Sequence, residues 1–187
     1  CLIVLGDPVA ENEEPKESNI NQSEEQFKEN GVTLAYYSVA EESLPMYKSM
    51  GKKCTQVGEE AILDLTTLSM DGGKMKATRS ALNRLTAEGY IFKIYRPLQK
   101  EGLLQKLEKV SDNWLRDLKQ TEVAFTQGVF DKTILKTQTI LTIEDSEEKV
   151  YAFLNLVKDY APGESTYDLI RKETDAPTGV LDILLSK

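Results

Sequence analysis

Histidine is absent from this chain of 187 residues. A Ser-His-Asp triad, a Cys-His nucleophile pair and an imidazole general base are therefore excluded within it. Cysteine is scarce as well, since only Cys1 and Cys54 occur. Two thiols cannot build a thiolate zinc cluster, and two lone cysteines are more typical of a reducing compartment than of a disulfide scaffold. The sequence therefore predicts no metal site.

Long apolar runs are missing too. No stretch approaches the roughly 18 consecutive apolar residues that a membrane-spanning helix needs. The apolar start, residues 1–5, is too short for a signal peptide and is typical of a strand that continues from an upstream segment. We therefore expect a piece of a longer protein that does not itself cross a membrane.

The composition is that of a globular protein, with 40% hydrophobic and 29% charged residues. This length is enough to bury a sizeable core in one ordinary domain or two small units. Acidic residues outnumber basic ones by 31 to 23, which gives a net charge of −8. Such a balance argues against a surface that binds nucleic acid over its whole area, although a local basic patch is compatible with it.

The first 66 residues predict alternating strands and helices, with turns at glycine and proline. We expect the first strand to be interior to a sheet, because it is apolar on both faces, and residues 10–25 to be an acidic loop. The predicted elements are a strand at 2–5, a helix at 23–31, a strand at 32–39, a helix at 41–50 and an extended segment at 54–65.

A break at Asp71-Gly72-Gly73 separates this half from a second one. There the helices are marked by apolar residues at helical spacing, and two alternating segments predict an antiparallel hairpin. The elements are a helix at 75–88, a strand at 90–95, a helix at 102–118 with Trp114 in its apolar stripe, hairpin strands at 134–143 and 150–157, a strand at 165–171 and a closing helix.

The helix at 75–88 carries a basic stripe on its polar side. Lys76 and Arg79 lie on it, with Lys74 and Arg84 close by. An exposed basic helix face is the plain interpretation. In so acidic a chain, however, this cluster is the best candidate for contact with phosphate.

The last strand, turn and helix predict an anion site. A strand that leads into a helix N-terminus presents unpaired backbone N–H groups, and Asp175 and Thr178 are suitable N-cap residues. Asp168, Arg171 and Asp182 surround this turn in the sequence. The alternative is a surface salt bridge and an exposed helix charge. Because residues three apart on a regular strand point to opposite faces, Asp168 and Arg171 share a site only if a bulge or the strand end intervenes.

Several of these segments together resemble one protein family. They are Leu5-Gly6-Asp7-Pro8-Val9, Val57-Gly58-Glu59-Glu60-Ala61-Ile62-Leu63-Asp64-Leu65, Gly73-Lys74-Met75-Lys76 with Arg79, Asn83, Arg84 and Gly89-Tyr90, Phe125 with Gly128 and Phe130-Asp131, Asp168-Leu169-Ile170-Arg171, and Ala176-Pro177 with Gly179 and Asp182. They look like the cytoplasmic catalytic region of bacterial phosphatidylglycerol lysyltransferases.

The resemblance implies an α/β (α+β) acetyltransferase-like (GNAT-like) fold, with a mixed sheet flanked by helices. Residues 1–70 would be the C-terminal half of one GNAT-like domain, and residues 71–187 the N-terminal part of the next. Family members continue upstream and downstream, so we expect an inactive fragment. The two halves either complement each other in one permuted sheet or form separate sheets.

The resemblance also implies an activity, the transfer of lysine from lysyl-tRNA to the glycerol hydroxyl of phosphatidylglycerol, which confers resistance to cationic antimicrobial peptides. The reaction needs no cofactor. It implies a location at the cytoplasmic face of the bacterial membrane, beside a membrane-embedded portion of the same protein. Asp168 and Arg171 would be catalytic, and Lys74, Lys76, Arg79, Arg84 and Asp182 would bind substrate.

Three other functions are alternatives to this one. Acetyl-CoA transfer is disfavoured, because residues 173–179 contain two acidic residues and a proline where a glycine-rich pyrophosphate loop is needed. Transfer of an amino acid from tRNA to a peptidoglycan precursor remains open. A non-catalytic scaffold also remains open.

Overall fold

The structure, a computed structural model, describes residues 1–8, 16–59, 61–122, 128–158 and 163–186. It divides into two compact units, Cys1–Asp64 and Leu65–Lys187. The predicted α+β class is confirmed. The assignment of the two units to the end of one GNAT-like domain and the start of the next stays a prediction.

The first unit contains a parallel pair of strands, β1 (Leu2–Leu5) and β2 (Leu34–Tyr37), joined through helix α1 (Lys16–Glu29). A 3₁₀ turn (Glu41–Ser43) and helix α2 (Leu44–Ser49) follow.

Asp7, in the turn after β1, connects this turn to the 3₁₀ turn and α2. Its carboxylate accepts hydrogen bonds from the Ala40 N–H at 3.1 Å, the Ser43 hydroxyl at 2.8 Å and the Tyr47 hydroxyl at 3.1 Å. The carboxylate thus satisfies donors at the start of the 3₁₀ turn, as a helix cap does. The Gly-Asp-Pro segment therefore has a structural role here.

The second unit is a four-stranded antiparallel sheet in the order β3-β4-β5-β6. Its strands are β3 (Ile91–Tyr95), β4 (Thr139–Glu144), β5 (Val150–Lys158) and β6 (Ser165–Lys172). The helices of this unit are α3 (Lys76–Ala87), α4 (Glu101–Leu118), α5 (Lys132–Leu135) and α6 (Val180–Leu185).

Alternation along the strands gives the sheet two packed faces. On one face α4 packs against a core that includes Leu107, Phe153 and Leu169. On the other face α3 and α6 pack against a core that includes Leu154 and Ile183. Each side chain of the sheet therefore lies either on the α4 face or on the α3/α6 face.

Some predicted elements were wrong. Residues 16–25 of the expected acidic loop belong to α1, and residues 54–59 and 61–65 contain no strand. The first strand is not interior. Within the described residues it pairs only with β2, and the side chains of Leu2, Ile3 and Leu5 are 44%, 50% and 58% exposed. Residues 134–138 were expected to open a hairpin strand, but α5 occupies their start and Asp131 caps it.

None of the helices in the described part of the chain is both long and apolar enough to cross a bilayer.

Candidate functional site

Strand β6 contains a bulge at Asp168. Ile170 of β6 pairs with Leu154, whereas Tyr167 pairs with Leu156, so Asp168 and Leu169 together stand opposite Asn155 alone. One extra residue on a strand turns the preceding side chains toward the opposite face. The structure therefore contains the bulge that Asp168 and Arg171 require in order to share one side of the sheet.

Arg171 is buried on the α4 face, with 4% of its surface exposed. Its Nη1 donates to Glu122 Oε1 at 2.9 Å and its Nη2 to Glu122 Oε2 at 2.8 Å. Nη1 also donates to the Ser111 hydroxyl, and the guanidinium carbon lies 5.6 Å from the centre of the Trp114 ring. These contacts hold the guanidinium in one orientation.

Glu122 is the partner that fixes this arrangement. The hydrogen bonds from Arg171 hold the pKa of its carboxyl below the ordinary value, and the bond from the Phe130 N–H, 3.2 Å long, acts in the same direction against the effect of burial. Glu122 is therefore held as a carboxylate by its surroundings.

The side chains of Asp168 and Arg171 both lie close to Gly128. The Gly128 carbonyl lies 3.5 Å from Arg171 Nη2. A Cβ atom added to Gly128 would overlap the Asp168 carboxylate, so this carboxylate lies directly against the glycine. Asp168 is otherwise exposed to solvent. One catalytic candidate is thus accessible to a substrate, and the other is buried.

This differs from the expectation that both side chains contact substrate. The guanidinium of Arg171 is occupied by Glu122, Ser111 and Gly128 and is almost fully buried. The guanidinium therefore presents almost no surface to a substrate in this structure.

The turn before α6 is not capped by Asp175 or Thr178 as the sequence predicted, and its role as an anion site stays a prediction. The N-cap is Gly179, with φ of 92°, and it has no side-chain hydrogen bond. Asp175 instead pairs with Lys149 at 2.8 Å, and α6 is only six residues long. Asp182 lies exposed in the first turn of α6, a helix of the face opposite to α4, so the structure does not bring it to Arg171.

Gly179 also has a steric role. A Cβ at this position would come within 2.9 Å of the Ala81 methyl group on α3. The left-handed backbone and this close approach both require glycine.

The basic stripe divides into two kinds of residue. Arg79 donates to the Met70 carbonyl and, at 2.9 Å, to the Gly72 carbonyl, and Arg84 donates to the Thr178 carbonyl at 2.6 Å. Arg79 therefore contacts the segment before α3, and Arg84 connects α3 to the turn before α6. Lys74 and Lys76 are exposed, and the structure shows no side-chain hydrogen bond or ion pair for them among the described residues.

Sequence reasoning missed Glu122 and Ser111. The ion pair joins residues 49 positions apart, and no local spacing indicates it. Trp114, assigned to the core, has its ring beside Arg171. Phe125, one of the residues that carried the family resemblance, lies outside the described residues. Among the described residues no group of three or more acidic or thiol side chains is arranged to hold a metal ion.

Comparison with protein families gives one match along the whole chain. The model of the family described as "Phosphatidylglycerol lysyltransferase, C-terminal" matches residues 1–187. The phosphatidylglycerol lysyltransferase of Bacillus subtilis (strain 168) is 32% identical over 186 residues, which are 98% of this chain and 21% of that protein. The lysyltransferase of Staphylococcus aureus (strain MRSA252) is 33% identical over 181 residues, 94% of this chain and 21% of that protein.

Two solved structures are also similar. The L-PGS structure from Bacillus licheniformis has a TM-score of 0.88 at 32% identity and covers 98% of this chain, which spans 55% of that one. The C-terminal domain (DUF2156) of a putative lysylphosphatidylglycerol synthetase from Agrobacterium fabrum has a TM-score of 0.86 at 30% identity, with 98% of this chain and 57% of that chain covered. The chain thus spans about a fifth of the length of the curated relatives that it matches.

Proposed function

The chain belongs to the C-terminal family of phosphatidylglycerol lysyltransferases, and from this membership we propose that its full-length protein transfers lysine from lysyl-tRNA to the glycerol hydroxyl of phosphatidylglycerol. The observation that carries the proposal is the family match along all 187 residues. The exposed Asp168, whose carboxylate lies against Gly128, supports a site for this chemistry within the chain.

The reaction exchanges one ester for another and needs no energy-rich cofactor. Its barriers are deprotonation of the attacking hydroxyl, stabilisation of the oxyanion and the joint binding of two anionic substrates. A carboxylate at the surface of the site suits either of two tasks. It can accept the proton of the glycerol hydroxyl, or it can bind the ammonium group of the lysyl moiety.

We assign substrate contact to Asp168 and positioning to Arg171. Arg171 is nearly inaccessible, but its guanidinium reaches both Glu122 and the Gly128 carbonyl. It therefore fixes the backbone against which the Asp168 carboxylate lies. A catalytic group held in one orientation in this way loses less entropy when the transition state forms.

The α3 surface is assigned to the polyanionic substrate. Lys74 and Lys76 are exposed ammonium groups, and cations of this kind bind nucleic-acid phosphates by releasing counterions. Arg79 and Arg84 stabilise the backbone of this surface. Asp182 keeps its assignment to substrate binding from the family resemblance. As an exposed carboxylate, it suits the lysyl ammonium.

The proposed setting is the cytoplasmic face of the bacterial membrane, beside a membrane-embedded portion of the same protein. Lysyl transfer gives the lipid headgroup positive charge, and this weakens the attraction of cationic antimicrobial peptides to the surface. Resistance to these peptides is the proposed physiological result.

The test is transfer of radiolabelled lysine from lysyl-tRNA to phosphatidylglycerol in vesicles. We expect the full-length protein to be active and residues 1–187 alone to be inactive. Asp168→Asn in the full-length protein should lower the transfer rate about 100-fold, whereas the matched control Glu147→Gln, at an exposed carboxylate of the β4–β5 turn, should not. Full activity of Asp168→Asn rejects the site.

The same assay separates the alternatives. A peptidoglycan-precursor acceptor in place of the lipid supports the other tRNA-dependent transfer, and inactivity with every acceptor supports a scaffold. The two tasks of Asp168 differ kinetically. Loss of ammonium binding raises KM for lysyl-tRNA, whereas loss of the general base lowers kcat.

A further inference from the structure

The bulge of β6 leaves a backbone donor that the strand ladder does not pair. The N–H of Leu169 lies within the bulge, where the pairing between β5 and β6 shifts its register. Leu169 itself is buried, with 3% of its surface exposed. A buried N–H without an acceptor is strongly disfavoured, so the bulge depends on a replacement for the lost ladder bond.

Asn155 supplies that replacement. Its side-chain Oδ1 accepts from the Leu169 N–H at 2.6 Å, and the residue is 1% exposed. Its Nδ2 donates to Gln138 Oε1 at 2.8 Å. Because an N–H faces one end of the amide and an acceptor faces the other, the orientation of the amide is fixed.

A chain of polar contacts holds Asn155 from the other side. The backbone carbonyl of Gln138 accepts from Gln99 Nε2 at 2.7 Å, and the same nitrogen donates to the Tyr95 carbonyl at 3.0 Å. Gln99 is itself 4% exposed. The contacts run from the end of β3 to the bulge of β6, so they fix Asn155 with respect to the whole sheet.

On the basis of the proposed function, we propose that Asn155 is a positioning residue of the lysyl transfer reaction. Its side-chain carbonyl holds the bulge, and the bulge brings Asp168 to the side of the sheet on which Gly128 and Arg171 lie. A regular β6 strand would place Asp168 and Arg171 on opposite faces of the sheet. With the bulge, both side chains reach Gly128. Asn155 acts through Asp168 and does not itself contact the substrate.

The test compares two polar substitutions in the full-length protein, assayed with lysyl-tRNA and phosphatidylglycerol vesicles. Asn155→Asp keeps an acceptor oxygen at the Leu169 N–H, and rotation of the Gln138 amide lets its NH2 group donate to the second carboxylate oxygen. The side chain of Asn155→Ser is too short to reach the Leu169 N–H. Taking Asp168 as the general base, we expect Asn155→Ser to lower kcat about 100-fold with KM within about 3-fold, and Asn155→Asp to retain kcat within about 10-fold. Equal kcat values for the two variants overturn the proposal.

Thr142→Val is the matched control for a lost buried hydrogen bond. Thr142 is fully buried on β4 and donates at 2.6 Å to Glu144 of the same strand, whereas the bulge lies on β6. We expect this variant to be less stable but to keep wild-type kcat. A loss of kcat as large as that of Asn155→Ser attributes the effect to general destabilisation and overturns the proposal.

A second readout does not depend on activity. Amide hydrogen exchange of the peptide spanning residues 163–172 should be faster in Asn155→Ser than in wild type, and close to wild type in Asn155→Asp. If Asn155→Ser does not fold, Asn155→Asp alone decides. Wild-type exchange together with a large loss of kcat in that variant contradicts the proposal.

A double substitution separates this inference from the proposed function. If Asn155 acts through Asp168, adding Asn155→Ser to Asp168→Asn lowers kcat by no more than about 2-fold. Independent, multiplying losses overturn the positioning role but leave the function intact. Full activity of Asp168→Asn alone rejects the proposed site itself.

Discussion

Arg171 and Glu122 form a two-pronged ion pair on the α4 face of the sheet, with N–O distances of 2.9 and 2.8 Å. The arginine is buried and the carboxylate partly so, with side-chain exposures of 4% and 27%. This pair connects β6, the strand that carries Asp168, to the segment that follows α4.

The first prediction concerns stability and pH. The ion pair lowers the pKa of Glu122 in the folded protein. Its contribution to the free energy of unfolding is therefore present above the pKa of the unfolded chain, about 4.3, and is lost as the pH falls through the lower pKa of the folded state. Glu122→Gln should lower the free energy of unfolding by about 2 kcal/mol at neutral pH. It should also flatten the pH dependence below pH 5 or so.

Urea unfolding of the 187-residue chain at a series of pH values, followed by the fluorescence of Trp114, measures both effects. Trp114 is the single tryptophan of the chain, and its ring lies beside Arg171. An unchanged pH profile in Glu122→Gln would contradict the assignment.

The second prediction concerns Gly128. Gly128→Ala places a methyl group where the Asp168 carboxylate lies, so the carboxylate must move. We expect kcat for lysyl transfer to fall about 10- to 100-fold. Gly102→Ala is the matched control, because nothing lies within 4 Å of the added Cβ in the first turn of α4. Equal activities of the two variants would show that the Asp168–Gly128 contact is unimportant.

The third prediction concerns binding of tRNA by the two exposed lysines around the start of α3. Lys74→Gln and Lys76→Gln should each weaken tRNA binding and reduce the slope of log K against log salt by about 1. Lys109→Gln, at an exposed lysine of α4 on the other face of the sheet, is the control and should leave the slope unchanged. Filter binding of tRNA at several salt concentrations gives these slopes. Weaker binding to phosphatidylglycerol vesicles with an unchanged tRNA slope would assign the lysines to the lipid.

The fourth prediction concerns alkaline stability. Burial, together with the hydrogen bond to Glu144 at 2.7 Å, raises the pKa of Tyr95 to about 12. The folded protein then holds the phenolic proton more tightly than the unfolded chain, whose value is about 10. The contribution of the Tyr95 phenol to the free energy of unfolding is complete below pH 10 or so and is lost as the pH rises toward about 12.

Tyr95→Phe should therefore be less stable than wild type by about 1 kcal/mol at neutral pH, and the difference should shrink above pH 10 or so. Denaturant titrations between neutral and alkaline pH test this. A constant difference across the range would mean that the phenol does not titrate differently in the two states.

The sequence predicted best those elements whose own residues determine them. The apolar stripe of α4 and the alternation of β4 and β5 arise from local spacing, and the helix and the hairpin are present. Helix α1 was partly missed because it is highly polar, with Ile20 as its single buried residue. A polar helix lacks a periodic pattern of apolar residues, and its composition is similar to that of a loop.

The site was predicted only in part, because its geometry depends on pairs distant in sequence. The motif indicated Asp168 and Arg171, but neither the partner of Arg171 nor the bulge follows from residues 165–172 alone. Glu122 and Asn155 determine these features from 49 and 14 positions away along the chain. The burial of Arg171 follows from the packing of α4, which local spacing does not encode.

The close approach of Gly179 to Ala81 restricts how this region can be redesigned. Position 179 combines a left-handed backbone with a neighbouring methyl group, so every genetically encoded side chain other than hydrogen meets either strain or overlap there. A combinatorial library intended to alter substrate choice around α6 should keep this codon invariant and place its diversity at the exposed positions Thr178 and Asp182.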